Sequence, residues 1–378
     1  MTIEQKLALE LCKFLSHDRE AIEKQLAASP DMPVVLGQLL YNRMGGVACH
    51  TLEGLDMLGR VNREFRNALK TEYDSNKAKT DSFHTMLNEL CDALGGAPFK
   101  YAFLKGAYLS HVYPKGLRSS NDIDILVNGE DVTGIADILK DNGFKRGYVR
   151  GGKFASATRK DILEARMNRG ETVPFVKQVS LPGMEYCEVD VNYSLDYKAS
   201  QSGDAVEKLL DKAVVSRNGI PPTLSNVDFL IHLCVHLYKE AATMAWVDMG
   251  RDLSLYKFCD IYLLVNKWLN DKFSKELKYR IYELNLRNEC YYALNYTRVL
   301  FGIEKDDLNN LLNWIKPVST VYLNEIYDPK ENKTYRYGVP FIEWFFSPKR
   351  KELLHDIEYD EPEEEWFTHY LMRFGREW

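Results

Sequence analysis

Several features are missing from this sequence, and each absence removes a class of function. No apolar run approaches the roughly 20 residues that a membrane-spanning helix needs, and no basic segment with an apolar core follows Met1. A cytoplasmic chain without a signal peptide is therefore expected. The seven cysteines are odd in number, scattered from Cys12 to Cys290, and never spaced as CxxC. Reduced, mostly buried thiols are expected, rather than disulfides or a cysteine zinc site. There is no Gly-x-Ser-x-Gly elbow, no P-loop and no dinucleotide fingerprint; Gly151-Gly152 opens none of these. A basic surplus is also missing. The net charge is −6, which weighs against a long nucleic acid as partner because a phosphate backbone is usually met by a cationic face.

What is present is a globular balance, 45% hydrophobic and 28% charged over 378 residues, enough for two or three domains. Residues 1–96 read as a helical region. Leu7, Leu9, Leu11 and Phe14-Leu15 begin an apolar stripe, and Ser16 to Asp18 can cap a helix from Arg19 to Ala28. A periodic stretch unbroken by proline runs from Leu52 to Leu94, where Gly95-Gly96-Ala97-Pro98 ends it. Residues 97–200 change character. Tyr101 to Leu104 is a short apolar run, Ala107 to Val112 reads as a helix, and Asp122 to Val127 alternates as a strand. Asp131 to Asn142 reads as a helix, and Val176–Leu181 with Tyr186–Asn192 as a hairpin around Pro182-Gly183. Residues 201–378 are again mostly helical, clearest at Asn226–Ala242 and Leu253–Trp268, with a polar loop from Asp328 to Gly338. Asp356 to Glu365 is an acidic cluster beside Trp366 and Phe367, expected as a solvated face. The expected class is α+β: a small mixed sheet flanked by helical N- and C-terminal regions.

The chemistry concentrates between Leu104 and Val127. On a strand, residues i and i+2 project to one face about 6.5 Å apart, so Asp122 and Asp124 point together while Ile123 and Ile125 point into a core. Two carboxylates this close repel and call for a cation. Hard oxygen donors that leave coordination positions open suit Mg²⁺, or Mn²⁺, shared with water and phosphate. Upstream, Gly106 follows a strand and opens a helix, where backbone can approach a ligand and unpaired N–H groups suit phosphate. Lys105, Arg118, Ser119 and Ser120 add charge and donors nearby.

Leu104-Lys105-Gly106, Tyr113-Pro114, Arg118 and Asp122-Ile123-Asp124-Ile125-Leu126-Val127 resemble the signature of the uncharacterised bacterial nucleotidyltransferases, within the superfamily that shares the DNA polymerase beta core. The likeness covers roughly residues 100 to 265. It implies transfer of a nucleoside monophosphate from an NTP to an acceptor hydroxyl or phosphate, metal held by Asp122 and Asp124, and phosphates held around Lys105, Gly106, Arg118, Ser119 and Ser120. A small-molecule acceptor is favoured. The resemblance also implies a third acid on a later strand. Asp190 is favoured for it as metal ligand and catalytic residue, with Glu188 on the same face as the rival. The chain departs from the pattern at Ala107, where a serine or glycine is usual, and at Asn192, where histidine is frequent. Those departures keep open a second reading, an inactive nucleotide- or partner-binding module of the same fold. His232 and His236 share a helix face but lack the adjacent glutamate of a metalloprotease, so a packed pair is expected there rather than zinc. The aromatic stretch Tyr335 to Phe346 is expected as core or interface.

Overall fold

The computed structural model describes residues 1–168, 170–195, 203–216 and 219–357. Most of the acidic stretch beyond Asp356, with Trp366 and Phe367, lies outside the described residues. The chain forms two compact units, each discontinuous in sequence. One contains Met1–Met44, Thr51–Met57 and Leu230–Trp378; the other contains Gly45–His50 and Leu58–Phe229.

The second unit is built on a six-stranded mixed sheet of order β1-β2-β6-β5-β3-β4. Its strands are β1 (Tyr101–Phe103), β2 (Asp122–Val127), β3 (Lys145–Arg150), β4 (Lys153–Ser156), β5 (Phe175–Leu181) and β6 (Met184–Asn192). β5 and β6 form the expected hairpin, turning at Gly183 with φ +68°. β2 and β6 pair in parallel, and β1 runs antiparallel to β2. β3 and β4 escape a sequence reading because they are only partly buried, towards one end of the sheet, and carry Lys145, Arg146, Arg150 and Lys153 in place of an apolar alternation. Charge of this kind protects a sheet margin from stray pairing. Residues Pro222 and Thr223 lie along the other side of β1: Phe103 N–H donates to the Pro222 carbonyl at 2.8 Å, and Thr223 Oγ1 donates to the Phe103 carbonyl at 2.7 Å.

One face of the sheet is closed by the long helix Arg63–Leu94 and the helix Val132–Asp141. The long helix begins where Asn62 accepts a bond from Phe65 N–H at 2.8 Å. It buries Phe65, Leu69, Tyr73, Asn76, Thr80, Phe83, Leu87, Leu90 and Leu94, a spacing of three and four that keeps one stripe inward. The stretch from Leu52 is not continuous helix. A helix ends at Gly54, Asp56 takes φ +53°, and the chain restarts at the Asn62 cap. Aspartate tolerates the left-handed region, so Asp56 makes the left-handed turn after this helix that a glycine more often makes.

The first unit is largely helical. Asp18 caps Arg19–Ala27, as expected, and Leu255–Trp268 is one of its long helices; the expected helix Asn226–Ala241 also forms. The stretch expected as a polar loop is instead a hairpin, β7 (Glu325–Asp328) with β8 (Lys333–Tyr337), joined by β9 (Leu354–Asp356). A Glu325–Arg336 ion pair at 2.6 Å ties β7 to β8, so polar residues hold strands that apolar alternation does not announce. The aromatic stretch is core: Trp344 is buried and stacks on Tyr337 with ring centroids 4.2 Å apart. All seven cysteines are free thiols, six of them buried.

Leu90 is fully enclosed where the long helix meets the sheet. Leu90→Ala is expected to cost about 2–5 kcal/mol, while Asn88→Ala on the exposed side of the same helix stays within about 0.5 kcal/mol. Urea unfolding of both variants checks this; a Leu90→Ala loss under about 1 kcal/mol would detach the helix from the core.

Candidate active site

β2 sends Ile123, Ile125 and Val127 into the core beneath the long helix and presents Asp122 and Asp124 on the opposite face. β6 does the same with Val189 and Val191 inward and Glu188, Asp190 and Asn192 outward. The parallel register sets Asp122 against Glu188 and Asp124 against Asp190. Four carboxylates therefore share one sheet face. Asn192 Nδ2 bonds Asp124 Oδ1 and the Asp190 carbonyl, each at 3.3 Å.

The turn between β1 and the helix Gly106–Val112 closes one side of this face. Leu104 N–H donates to the Asp124 carbonyl at 2.9 Å. Lys105 takes φ +43° and ψ −117°, and its Nζ donates to Asp124 Oδ1 at 2.7 Å. Gly106 is required by a neighbour. A Cβ here would stand 2.5 Å from Ser120 Oγ and 2.6 Å from Ser120 Cβ. Ser120 in turn donates to Asp122 Oδ1 at 3.1 Å. Ala107 is enclosed in the core, so a hydroxyl at that position would not face the acids; the hydroxyl at the turn belongs to Ser120. Arg118 Nη1 donates to the Ser119 carbonyl at 2.6 Å, which curls the guanidinium onto its own loop.

The acids titrate abnormally because they are enclosed together. Burial pushes Asp124 up to about 6, against the pull of the Lys105 ammonium and with the Asp122 charge adding to the rise. Asp190 lies well above the usual carboxylate range, again from burial first and then from Asp124, Asp122 and Glu171. Glu188 is raised by burial and by Asp122. Glu171 is the acid that sequence reasoning misses. It precedes β5 in an irregular stretch, and only its bridge to Asn192 brings it beside the others. No periodicity or motif marks it.

Hard oxygens crowded on one face and short of positive charge are a donor set for Mg²⁺ or Mn²⁺. Among the described residues, no three His, Cys, Asp or Glu side chains are gathered closely enough to hold a metal ion by themselves. Mg²⁺ does not require one, since one or two carboxylates plus phosphate and water complete its octahedron. The residues present fit such an ion. His232 and His236 are a stacked pair, their rings parallel and 6.2 Å apart, with His236 Nε2 3.3 Å from a Glu240 oxygen that also pairs with Lys257.

A family model described as uncharacterised nucleotidyltransferase matches residues 29–302. No curated protein matches the chain. Among solved structures, an antigenic nucleotidyltransferase-like protein from Paracoccidioides brasiliensis is similar over 62% of this chain and 94% of its own, at 15% identity and a TM-score of 0.38.

Two outcomes follow from this geometry. Gly106→Ala is expected to destabilise by about 1–3 kcal/mol through overpacking, and Ser120→Gly in the same chain to restore part of the loss. A double-mutant cycle in urea showing simple additivity would refute the contact. The second outcome concerns pH. The folded pKa values of Asp124 and Asp190 exceed the unfolded value of about 3.9, so the folded chain binds more protons than the unfolded one above that pH. Their stabilising contribution is fully present below about pH 4 and is lost as pH rises through the folded values, about 6 for Asp124. Asp190→Asn should therefore lose less stability than the unsubstituted protein between about pH 4 and 7. An equal or larger loss, measured without divalent metal, would show that the carboxylates are already balanced.

Proposed function

The chain belongs to the uncharacterised nucleotidyltransferase family, and from that premise we propose that it transfers a nucleoside monophosphate from an NTP to an acceptor hydroxyl or phosphate. One observation carries the reading: Asp122, Asp124 and Asp190 share one face of two neighbouring parallel strands, closed on one side by the Lys105-Gly106 turn. The acceptor oxygen attacks the α-phosphorus. The bond from that phosphorus to the bridging oxygen of the β-phosphate breaks, and pyrophosphate leaves with the electron pair.

Asp122, Asp124 and Asp190 would hold Mg²⁺ or Mn²⁺, which when bound lowers the pKa of the acceptor and offsets charge on the phosphates. Asp190 is suited to take the acceptor proton, because an enclosed carboxylate among like charges binds a proton more readily than an exposed one. Lys105 and Arg118 supply cations for the phosphate oxygens, and the backbone at Gly106 and Ser119, with the Ser120 hydroxyl, supplies neutral partners. The face that would receive the acceptor is rich in carboxylates and the net charge is −6, so a small molecule is favoured over a long nucleic acid. Among the described residues no helix is long and apolar enough to cross a membrane.

Pyrophosphate release with Mg²⁺ and each NTP, over a panel of acceptors, is the direct test. Mg–NTP at a hundredfold excess over Kd should stabilise the protein by about 2.7 kcal/mol. Asp122→Asn and Asp124→Asn should abolish both turnover and that shift; a full shift in Asp122→Asn would remove the metal assignment. Asp190→Asn should leave NTP affinity nearly unchanged and lower kcat by roughly 10³- to 10⁴-fold, with Glu188→Gln mild beside it. The reverse order, with Glu188→Gln dead and Asp190→Asn active, would move the third acid two residues along β6.

A further inference from the structure

Lys105 occupies a position that phosphate binding alone does not explain. Its Nζ lies 2.7 Å from Asp124 Oδ1, and both side chains are largely enclosed. The backbone holds it there. Lys105 sits at φ +43°, a conformation that costs an L-residue roughly 1–3 kcal/mol and persists only where the surroundings fix it. They do so on both sides. Leu104 N–H is tied to the Asp124 carbonyl, and Gly106 is wedged against Ser120. The ammonium is thus set on the carboxylate that lies between Asp122 in its own strand and Asp190 in the next, where a metal ion would also have to bind.

Two cations cannot share one carboxylate oxygen at such a distance without strong repulsion. We propose that Lys105 is a placeholder cation, which occupies Asp124 until a triphosphate draws it away and so makes divalent metal and nucleotide bind together. This rests on the transfer reading above. The exchange conserves charge: the ammonium leaves Asp124 for phosphate oxygens, and the vacated carboxylate becomes a ligand. Without nucleotide, the metal must compete with the Lys105 ammonium for Asp124 and then share the face with it at close range, so metal alone binds weakly. With nucleotide, the displaced ammonium has a partner of higher charge. By linkage, the metal raises nucleotide affinity by the same factor that nucleotide raises metal affinity.

Mn²⁺ titration of the full chain, followed by the loss of the free-ion EPR signal, tests this without turnover. The set is the unsubstituted protein with Lys105→Met, Lys105→Gln, Lys105→Arg and Asp124→Asn, each alone and with a non-hydrolysable NTP analogue. Lys105→Met and Lys105→Gln should bind Mn²⁺ alone at least about tenfold more tightly than the unsubstituted protein, and most of the gain conferred by the analogue should vanish. Lys105→Arg keeps the charge and should resemble the unsubstituted protein; Asp124→Asn should lose the site. Glutamine retains a donor for Asp124, so it reports even if methionine fails to fold. If neither neutral variant binds Mn²⁺ more tightly while the unsubstituted protein binds Mn²⁺ with the analogue through Asp124, the placeholder is refuted and the transfer reading stands. If no protein in the set binds Mn²⁺ with or without the analogue, both fall.

Discussion

Carboxylate repulsion across the β2–β6 pair is the constraint around which the sheet unit is organised. Neighbouring strands lie about 4.8 Å apart, and two unit charges at that distance repel by about 3 kcal/mol at an effective dielectric constant near 20. The parallel register puts Asp122 beside Glu188 and Asp124 beside Asp190, so each pair meets this cost to the extent that both of its acids are ionised. The opposite face answers it. Ile123, Ile125, Val127, Val189 and Val191 are all buried beneath the long helix and its neighbours, and each such side chain contributes about 1.5–3 kcal/mol on leaving water. The strands pair for the sake of the core, and the acids are carried along on the other side of the same pleat.

Part of the repulsion is relieved locally, and each relief leaves a mark on the structure. Asp124 takes the Lys105 ammonium and the Asn192 amide; Asp122 takes the Ser120 hydroxyl. The remainder appears as raised pKa values at Asp124, Asp190 and Glu188. Ser120 links the two halves of the site, since it bonds an acid on one side and fills the space where Gly106 would carry a side chain on the other. The glycine and the serine are therefore one packing decision, and the conformation of Lys105 follows from it.

The two departures from the family pattern take on a physical meaning in this setting. Position 107 faces the core, so alanine there removes no group from the acid face. Asn192 lies on the acid face next to Asp124 and Asp190 and donates its amide to both.

Elements with a strong local pattern are legible in the amino-acid sequence. The alternation in Asp122–Val127 set the acids on one face and the isoleucines on the other, the Pro182-Gly183 pair marked the β5–β6 turn, and Asp18 capped its helix. These features are local: they depend on the pleat, on turn dihedrals and on a side chain bonding a backbone group three residues on. The remainder depends on long-range pairing. Which acid stands beside Asp124 depends on a strand register that pairs residues 66 positions apart, Asp124 with Asp190, and Glu171 reaches the face through a bridge to Asn192 that no period announces. β3, β4 and the β7–β8 hairpin are held by partner strands and ion pairs rather than by an apolar pattern. Lys105 was legible as a cation beside a glycine turn. That its ammonium rests on Asp124 was not, because a contact across nineteen residues is set by where β1 and β2 lie side by side.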